Sequence, residues 1–292
     1  MTDGLLTVPY VAELAKALEP MEWSVFNVLL SSSYGGFGMA SLDKDIEELA
    51  QCVKFVQEYK SSQLSKPGKI VIMGHSTGSQ DVFHYLHSPN PLPHSESHIV
   101  RPAVDGAITQ APVSDRENLL EALKNGTPEG TPNELGMCYD QLVGIAKNHT
   151  HQDNIEYVLP LSMTAKLGWP SDVPICARRF LSLASPDSPA NPSQDDVFSS
   201  DLTDQRLQDT FGAIPTRKLL RTQLLVLYSG NDEYCPKWVS KENLLQRWRN
   251  VLKDKWADAS GIVEGASHNV KGVGEAPQRD LIHRIVHYLG SV

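Results

Sequence analysis

The feature that most constrains this chain is a strand that runs into a serine on a glycine-flanked turn. Ile70, Val71, Ile72 and Met73 form a short apolar run between Pro67-Gly68 and Gly74, which reads as a buried strand. Gly74-His75-Ser76-Thr77-Gly78 follows and fits G-x-S-x-G. Val82, Phe83 and Leu86 then recur at helical spacing. Strand, tight turn and helix together are the context of a nucleophile elbow; outside it the pentapeptide turns up by chance in ordinary loops. The expectation is a serine on a strained turn, with both glycines required because side chains there would strike the neighbouring strand and helix. The turn lifts the hydroxyl above the sheet edge. The helix start behind it offers free N–H groups, which favour developing negative charge.

A serine hydroxyl is a poor nucleophile at neutral pH and needs a base within hydrogen-bond reach. Leu224-Leu225-Val226-Leu227-Tyr228 reads as a buried strand and leads into Ser229-Gly230-Asn231-Asp232-Glu233. An acid just after such a strand stands at the carboxyl edge of a parallel sheet, where catalytic groups collect. Asp232 is the candidate because it is nearer the strand end; Glu233 is the reserve, and a turn-forming aspartate is the competing reading. His268 lies 36 residues beyond Asp232, in a loop after a last strand. The order Ser76, Asp232, His268 is that of the α/β-hydrolases. A neutral imidazole can take the serine proton and return it to a leaving group, with the carboxylate fixing its tautomer.

The other histidines are weaker candidates. His75, inside the elbow, is expected to point away from the site. His84 and His87 follow on the elbow helix, His94 and His98 sit in a polar loop, and His149 and His151 fall in an inserted region. His283 and His287 have a spacing that could bind metal, but no H-E-x-x-H accompanies them and a solvated helix face is the expectation.

The alternation of elements sets the fold class. A helix is expected over 8–18 with Asp3 as a cap, a strand over 23–30, a helix through about residue 59, then the elbow strand and helix, and a strand over 104–111. Strands over 224–228 and 259–263, a helix over 237–252 and a final helix through Leu281, Ile285 and Leu289 complete the pattern. Such alternation implies an α/β fold, a mostly parallel sheet covered by helices on both faces. Between Ser114 and Thr216 it is lost: helical pieces over 117–124 and 133–147 precede a Pro/Ser/Asp-rich stretch over 185–196. The expected organisation is a core of 1–113 and 217–292 with a cap inserted at 114–216.

Composition narrows the function. The 292 residues carry a net charge of −9 with no lysine/arginine block, which argues against a nucleic-acid partner. Four cysteines are scattered without a C-x-x-C pair, which suits a reducing, cytoplasmic setting and suggests no metal site. No apolar run reaches the roughly 20 residues of a membrane span. Asn125-Gly126-Thr127 and Asn148-His149-Thr150 read as chance sequons. Tyr34-Gly35-Gly36-Phe37-Gly38 follows the 23–30 strand, but its spacing is neither G-x-G-x-x-G nor a Walker motif. A connecting loop near the pocket is expected there, and no cofactor.

The chain resembles the fungal siderophore esterase family within the α/β-hydrolases. The resembling stretches are Thr2-Asp3-Gly4-Leu5-Leu6-Thr7-Val8-Pro9-Tyr10, Ser32-Ser33-Tyr34-Gly35-Gly36-Phe37-Gly38, Gly74 to Asp81, Ser229 to Tyr234 and Ser267-His268. The resemblance implies hydrolysis of fusarinine-type hydroxamate siderophore esters, with a ferric siderophore as one form of the substrate. It assigns Ser76 as nucleophile, Asp232 as acid and His268 as base, with the Thr77 N–H as one oxyanion donor. It also implies a strand and a Gly-Gly-Leu-type turn ahead of Asp3-Gly4-Leu5, the turn giving the second donor and the strand lying between the 23–30 and elbow strands. The chain opens at about that turn, so a shortened core is expected. A non-catalytic hydrolase-fold binding protein, and a thioesterase or peptidase on the same three residues, are the competing functions.

Overall fold

Four strands, β1 (Val71–His75), β2 (Gly106–Gln110), β3 (Leu224–Ser229) and β4 (Gly261–Val263), lie side by side in sequence order. Every pairing is parallel. The architecture comes from a computed structural model in which residues 4–5, 7–63, 68–93 and 97–292 are described. Asp3, Pro67 and His94 lie outside the described residues.

Among the described residues the α-helices run α1 (Val11–Leu18), α2 (Leu42–Gln63), α3 (Thr77–His87), α4 (Asp115–Asn125), α5 (Pro132–His151) and α6 (Leu161–Lys166). They continue as α7 (Ala177–Ala184), α8 (Asp204–Thr210), α9 (Ile214–Arg217), α10 (Lys241–Leu252) and α11 (Glu275–Ser291). Alternation along β3 shows how they cover the sheet. Leu224, Val226 and Tyr228 pack with Val53 of α2, Phe83 of α3 and Trp248 of α10. Leu225 and Leu227 point the other way, toward Leu14 of α1 and Leu281 and Ile285 of α11. Successive strand side chains face opposite sides, so an all-apolar strand requires cover on both. This is the expected α/β architecture.

One expected element is absent. Residues 23–30 form no strand, and Val25, Phe26, Val28 and Leu29 are exposed. Their β-forming composition describes fitness for a paired, half-buried surface. Among the described residues the sheet ends at β1, and no ladder partner reaches this segment. Phe26 and Tyr59 instead meet edge to face on the outside of α2. Smaller differences lie at element ends. The 237–252 helix begins at Lys241 because Ser240 caps it by accepting from the Asn243 N–H. The 133–147 helix extends over Pro132–His151, opened by a reciprocal Thr131/Glu134 capping box that the sequence reading passed over.

The region between β2 and β3 has a core of its own. Leu119, Leu135, Leu142, Ile175 and Phe180 pack together, and Phe37, from the short 3-10 turn Tyr34–Gly38, is buried among them. Farther along, Val197, Phe198, Leu207 and Phe211 join the main core against the sheet. The Pro/Ser/Asp-rich stretch between them is irregular but packed. Arg179 on α7 and Asp195 are each about 1% exposed and form a bidentate ion pair at 2.6–2.7 Å. The Arg179 Nε–H also donates to the Phe37 carbonyl at 3.0 Å. Gln80 on α3 donates to the Asp195 carbonyl and to Asp115. Charges replace apolar packing here, so the stretch could not be read as core from its composition.

These buried charges generate two predictions. Removing one partner of a buried ion pair leaves the other uncompensated, at a cost of about 3–5 kcal/mol. Arg179→Leu should therefore lower the chemical-denaturation midpoint strongly. Lys147→Met, which breaks the exposed Lys147–Asp187 pair, should change stability by less than about 1 kcal/mol. Equal midpoints for the two variants would remove the distinction.

The second prediction concerns Asp45 on α2. Desolvation pushes its carboxyl up to about 6, with Glu48 and Asp195 adding to the rise and Ser32 and Arg179 opposing it. A carboxyl raised in the fold binds its proton more tightly there than in the unfolded chain. Stability is therefore lost as pH rises from about 4 through about 6. Asp45→Asn, which has no charge to desolvate, should melt above the wild type at pH 7.5, and the gap should close near pH 4. Melting curves across that range check the sign.

Candidate active site

Ser76 follows the last residue of β1 and sits at φ 56°, ψ −123°, a conformation an L-residue adopts only when its surroundings enforce it. Its N–H donates to the Gln110 carbonyl at 3.0 Å, and its own carbonyl accepts from the Ser79 N–H at 2.8 Å. The first elbow glycine is sterically required: a Cβ on Gly74 would lie 1.8 Å from the Gly78 carbonyl oxygen. The second is not. A Cβ on Gly78 would meet nothing within 4 Å, which corrects the expectation that both are crowded: the turn of α3 closes over Gly74 alone. Thr77 is the first residue of α3, so its N–H has no acceptor inside the helix.

The parallel register brings the remaining groups to the same edge. β3 ends at Ser229, opposite Val263 of β4. The turn after β3 is stitched to the loop after β4 by Gly230 N–H to the Val263 carbonyl and Asn231 N–H to the Ala266 carbonyl, at 2.9 and 2.8 Å. Asp232 and His268 are both buried. The His268 Nδ1–H donates to Asp232 Oδ2 at 2.8 Å and Oδ1 at 3.0 Å. Nε2 is then the acceptor for the Ser76 hydroxyl, 2.7 Å away, because a neutral imidazole has one donor and one acceptor nitrogen. The Tyr234 N–H donates to Asp232 Oδ1 at 3.0 Å, and the Tyr234 ring stands edge-on to His268.

Glu233 has a different task from its neighbour. Its Oε2 accepts the backbone N–H of His268 at 2.8 Å, so it holds the main chain of the histidine while Asp232 meets the ring. His75 also departs from expectation. Its ring centroid is 4.9 Å from that of His268, and its Nδ1–H donates to Gln110 Oε1 at 2.5 Å. Alternation along β1 turns His75 to the opposite side from Gly74, beside the end of β2. Gln110 was unmarked in the sequence, where it is one of two adjacent polar residues, with Thr109, at the end of β2.

The remaining histidines lie elsewhere. His84 bonds Asp43 and Ser88. Burial holds the neighbouring His87 well below its usual range, at about 3. His149 stacks on Tyr157 at 3.6 Å, and His283 and His287 lie side by side on α11. Among the described residues no group of three or more His, Cys, Asp or Glu is arranged to hold a metal ion. None of the described helices is long and apolar enough to cross a membrane.

This arrangement can perform nucleophilic acyl transfer: hydroxyl, base and carboxylate form one hydrogen-bonded line, and a helix N-terminus lies next to the hydroxyl.

Comparison with known proteins adds relatives of the whole chain. Residues 1–290 match the model of a family described as protein of unknown function (DUF1749). Fusarinine C esterase sidJ of Aspergillus fumigatus is 45% identical over 99% of this chain and 86% of its own length. Esterase AN6793 of Emericella nidulans is 44% identical over 99% of this chain and 84% of its own. Among solved structures, the siderophore hydrolase EstB from Aspergillus fumigatus superposes with a TM-score of 0.87 at 45% identity, over 99% of this chain and 87% of that one.

Proposed function

The chain belongs to the DUF1749 family of α/β-hydrolases, and from that premise we propose that it is a serine esterase acting on fusarinine-type hydroxamate siderophores. The observation that carries the reading is the line Ser76–His268–Asp232, with hydrogen bonds of 2.7 and 2.8 Å at the carboxyl edge of the sheet. Relatives named as a fusarinine C esterase and a siderophore hydrolase support the substrate class. In this reading the ferric or iron-free siderophore ester is a small-molecule substrate in the cytoplasm, consistent with four unpaired cysteines. Residues 114–216, part of which has a separate core, act as a cap over the core of 1–113 and 217–292.

The mechanism follows from which atoms face each other. His268 Nε2 takes the Ser76 proton as Oγ bonds to the ester carbonyl carbon. The imidazolium that forms is stabilised by Asp232, already on Nδ1. The Thr77 N–H, at the positive end of α3, donates to the oxyanion. Collapse breaks the bond to the alcohol, which leaves with the proton from His268, and the acyl group stays on Ser76. Water, deprotonated by the same nitrogen, then releases the acid and restores the serine. Ester bonds suit this site because an alkoxide is a better leaving group than an amide nitrogen, and His268 supplies the one proton it takes on departure.

Ser76→Ala should abolish labelling by a fluorophosphonate probe and reduce kcat on a small chromogenic ester by about 10⁴–10⁶ while leaving the melting temperature unchanged. Retention of more than a few per cent of the rate would sink the assignment. Asp232→Asn should cost about 10⁴ in kcat through the wrong imidazole tautomer. Glu233→Gln keeps an oxygen for the His268 N–H and should cost far less; the reverse ranking would identify the wrong acid. Release of free acid and alcohol from fusarinine C, followed by mass spectrometry, tests the substrate class separately.

A further inference from the structure

We propose that Gln110 is a positioning residue that sets His268 against the elbow, an inference that rests on reading Ser76, His268 and Asp232 as a triad. Gln110 is the last residue of β2, paired in register with His75 of β1 on one side and Leu227 of β3 on the other. It therefore lies between the strand that carries the nucleophile and the strand that carries the acid. Its side chain is about 1% exposed.

Every hydrogen-bonding site of its amide is used. Oε1 accepts the Tyr10 hydroxyl at 3.1 Å and the His75 Nδ1–H at 2.5 Å. Nε2 donates to Ser229 Oγ at 3.1 Å and to the His268 carbonyl at 3.2 Å. A primary amide offers two donors and two acceptor lone pairs, and here all four are occupied. The backbone carbonyl of the same residue accepts from the Ser76 N–H and from Ser79 Oγ, at 3.0 and 2.9 Å. One residue thus ties the serine turn, the end of the acid strand, the histidine loop and the segment entering α1 to a single point.

The consequence falls on His268 because it is the only triad member carried on a loop beyond a three-residue strand. Its N–H is fixed by Glu233 and its carbonyl by Gln110, which together determine where the ring starts from. Gln110 touches no reacting atom. It acts through the His268 carbonyl, and displacement of a catalytic group by about 1 Å costs on the order of 10²-fold in rate. A methionine of similar volume would take away the acceptor that Gln110 offers the Tyr10 hydroxyl and the His75 N–H, and would leave the His268 carbonyl only its long 3.5 Å bond from Ser229 Oγ. An asparagine would keep the amide but draw it back by one methylene.

The test uses the full chain with Gln110→Met and Gln110→Asn, and Leu142→Ala in α5, whose core cluster contains no residue of the 264–270 loop, as a core variant of comparable destabilisation. Hydrogen exchange followed by mass spectrometry reads the loop over 264–270, and kinetics on a small chromogenic ester separate kcat from KM. Exchange in the loop should quicken at least about tenfold in Gln110→Met while α3 stays protected. Its kcat should fall by about 10–100-fold with KM within about twofold. Gln110→Asn should give an intermediate loss of kcat, and it keeps the proposal testable if methionine prevents folding. Leu142→Ala should leave kcat within about twofold. Loop exchange and kcat both at wild-type levels, or quickened exchange with unchanged kcat, would overturn the proposal. So would a kcat loss equal to that of Leu142→Ala. If the wild type neither labels at Ser76 nor hydrolyses esters, the functional reading fails by itself. The exchange arm still decides whether Gln110 anchors the loop, unchanged exchange counting against it.

Discussion

The strained backbone of Ser76 is the constraint on which the rest depends. A residue at φ 56° between a strand and a helix cannot relax in either direction without breaking one of them. The Gln110 carbonyl holds the Ser76 N–H, and the first turn of α3 holds its carbonyl through Ser79. Gly74 is the concession the turn demands, since any side chain there would strike the Gly78 carbonyl. Strain of this sort persists only where surrounding structure over-determines it. Here that structure is a parallel sheet whose central strands β2 and β3 are buried along their whole length. The apolar core and the reactive hydroxyl are therefore one problem: the sheet has to be rigid for the turn to stay strained.

Parallel pairing then solves the geometry of the other groups. In register, His75 faces Gln110, Gln110 faces Leu227, and Ser229 faces Val263. β1 and β2 thus end level with each other, and β3 and β4 end level two residues farther on, so the residues just past those ends meet without any long reach. Asp232 and His268 come from separate turns, yet the turns are stitched together by main-chain hydrogen bonds before either side chain takes part. Glu233 completes the arrangement by holding the main chain of the histidine whose ring its neighbour holds.

The fold and the three residues at the site were legible because their signals are local. Ser76 lies inside a five-residue pattern, Asp232 follows an apolar run that reads as a buried strand, and His268 follows a shorter strand signal at 259–263. Gln110 carries no local signal; its importance is the meeting of Tyr10, His75, Ser229 and His268, all brought to it by tertiary structure. His75 was misread because a turn pattern says nothing about which way the preceding residue faces. The 23–30 segment was misread for the opposite reason. Its β-propensity is real, but propensity cannot supply the neighbour a strand must pair with. The stretch over 185–196 is irregular, as its composition implies; what the composition hides is that Asp195 and Asp196 are buried there, on Arg179 and Arg116.

Those charges also join the inserted region to the site. Arg179 grips Asp195 and, with its Nε–H, the carbonyl of Phe37, whose ring is buried in the insertion's own core. Gln80, one turn into the elbow helix, donates to the Asp195 carbonyl and to Asp115 at the start of α4. The insertion is thus fastened to α3 itself, beside the serine, by hydrogen bonds between buried groups. In so dry an environment such bonds are costly to leave unmade. A displacement of α7 or of the 185–196 stretch would have to break the Arg179–Asp195 pair or pull on α3. The helix that starts beside Ser76 is therefore the same helix that registers the position of the region between β2 and β3.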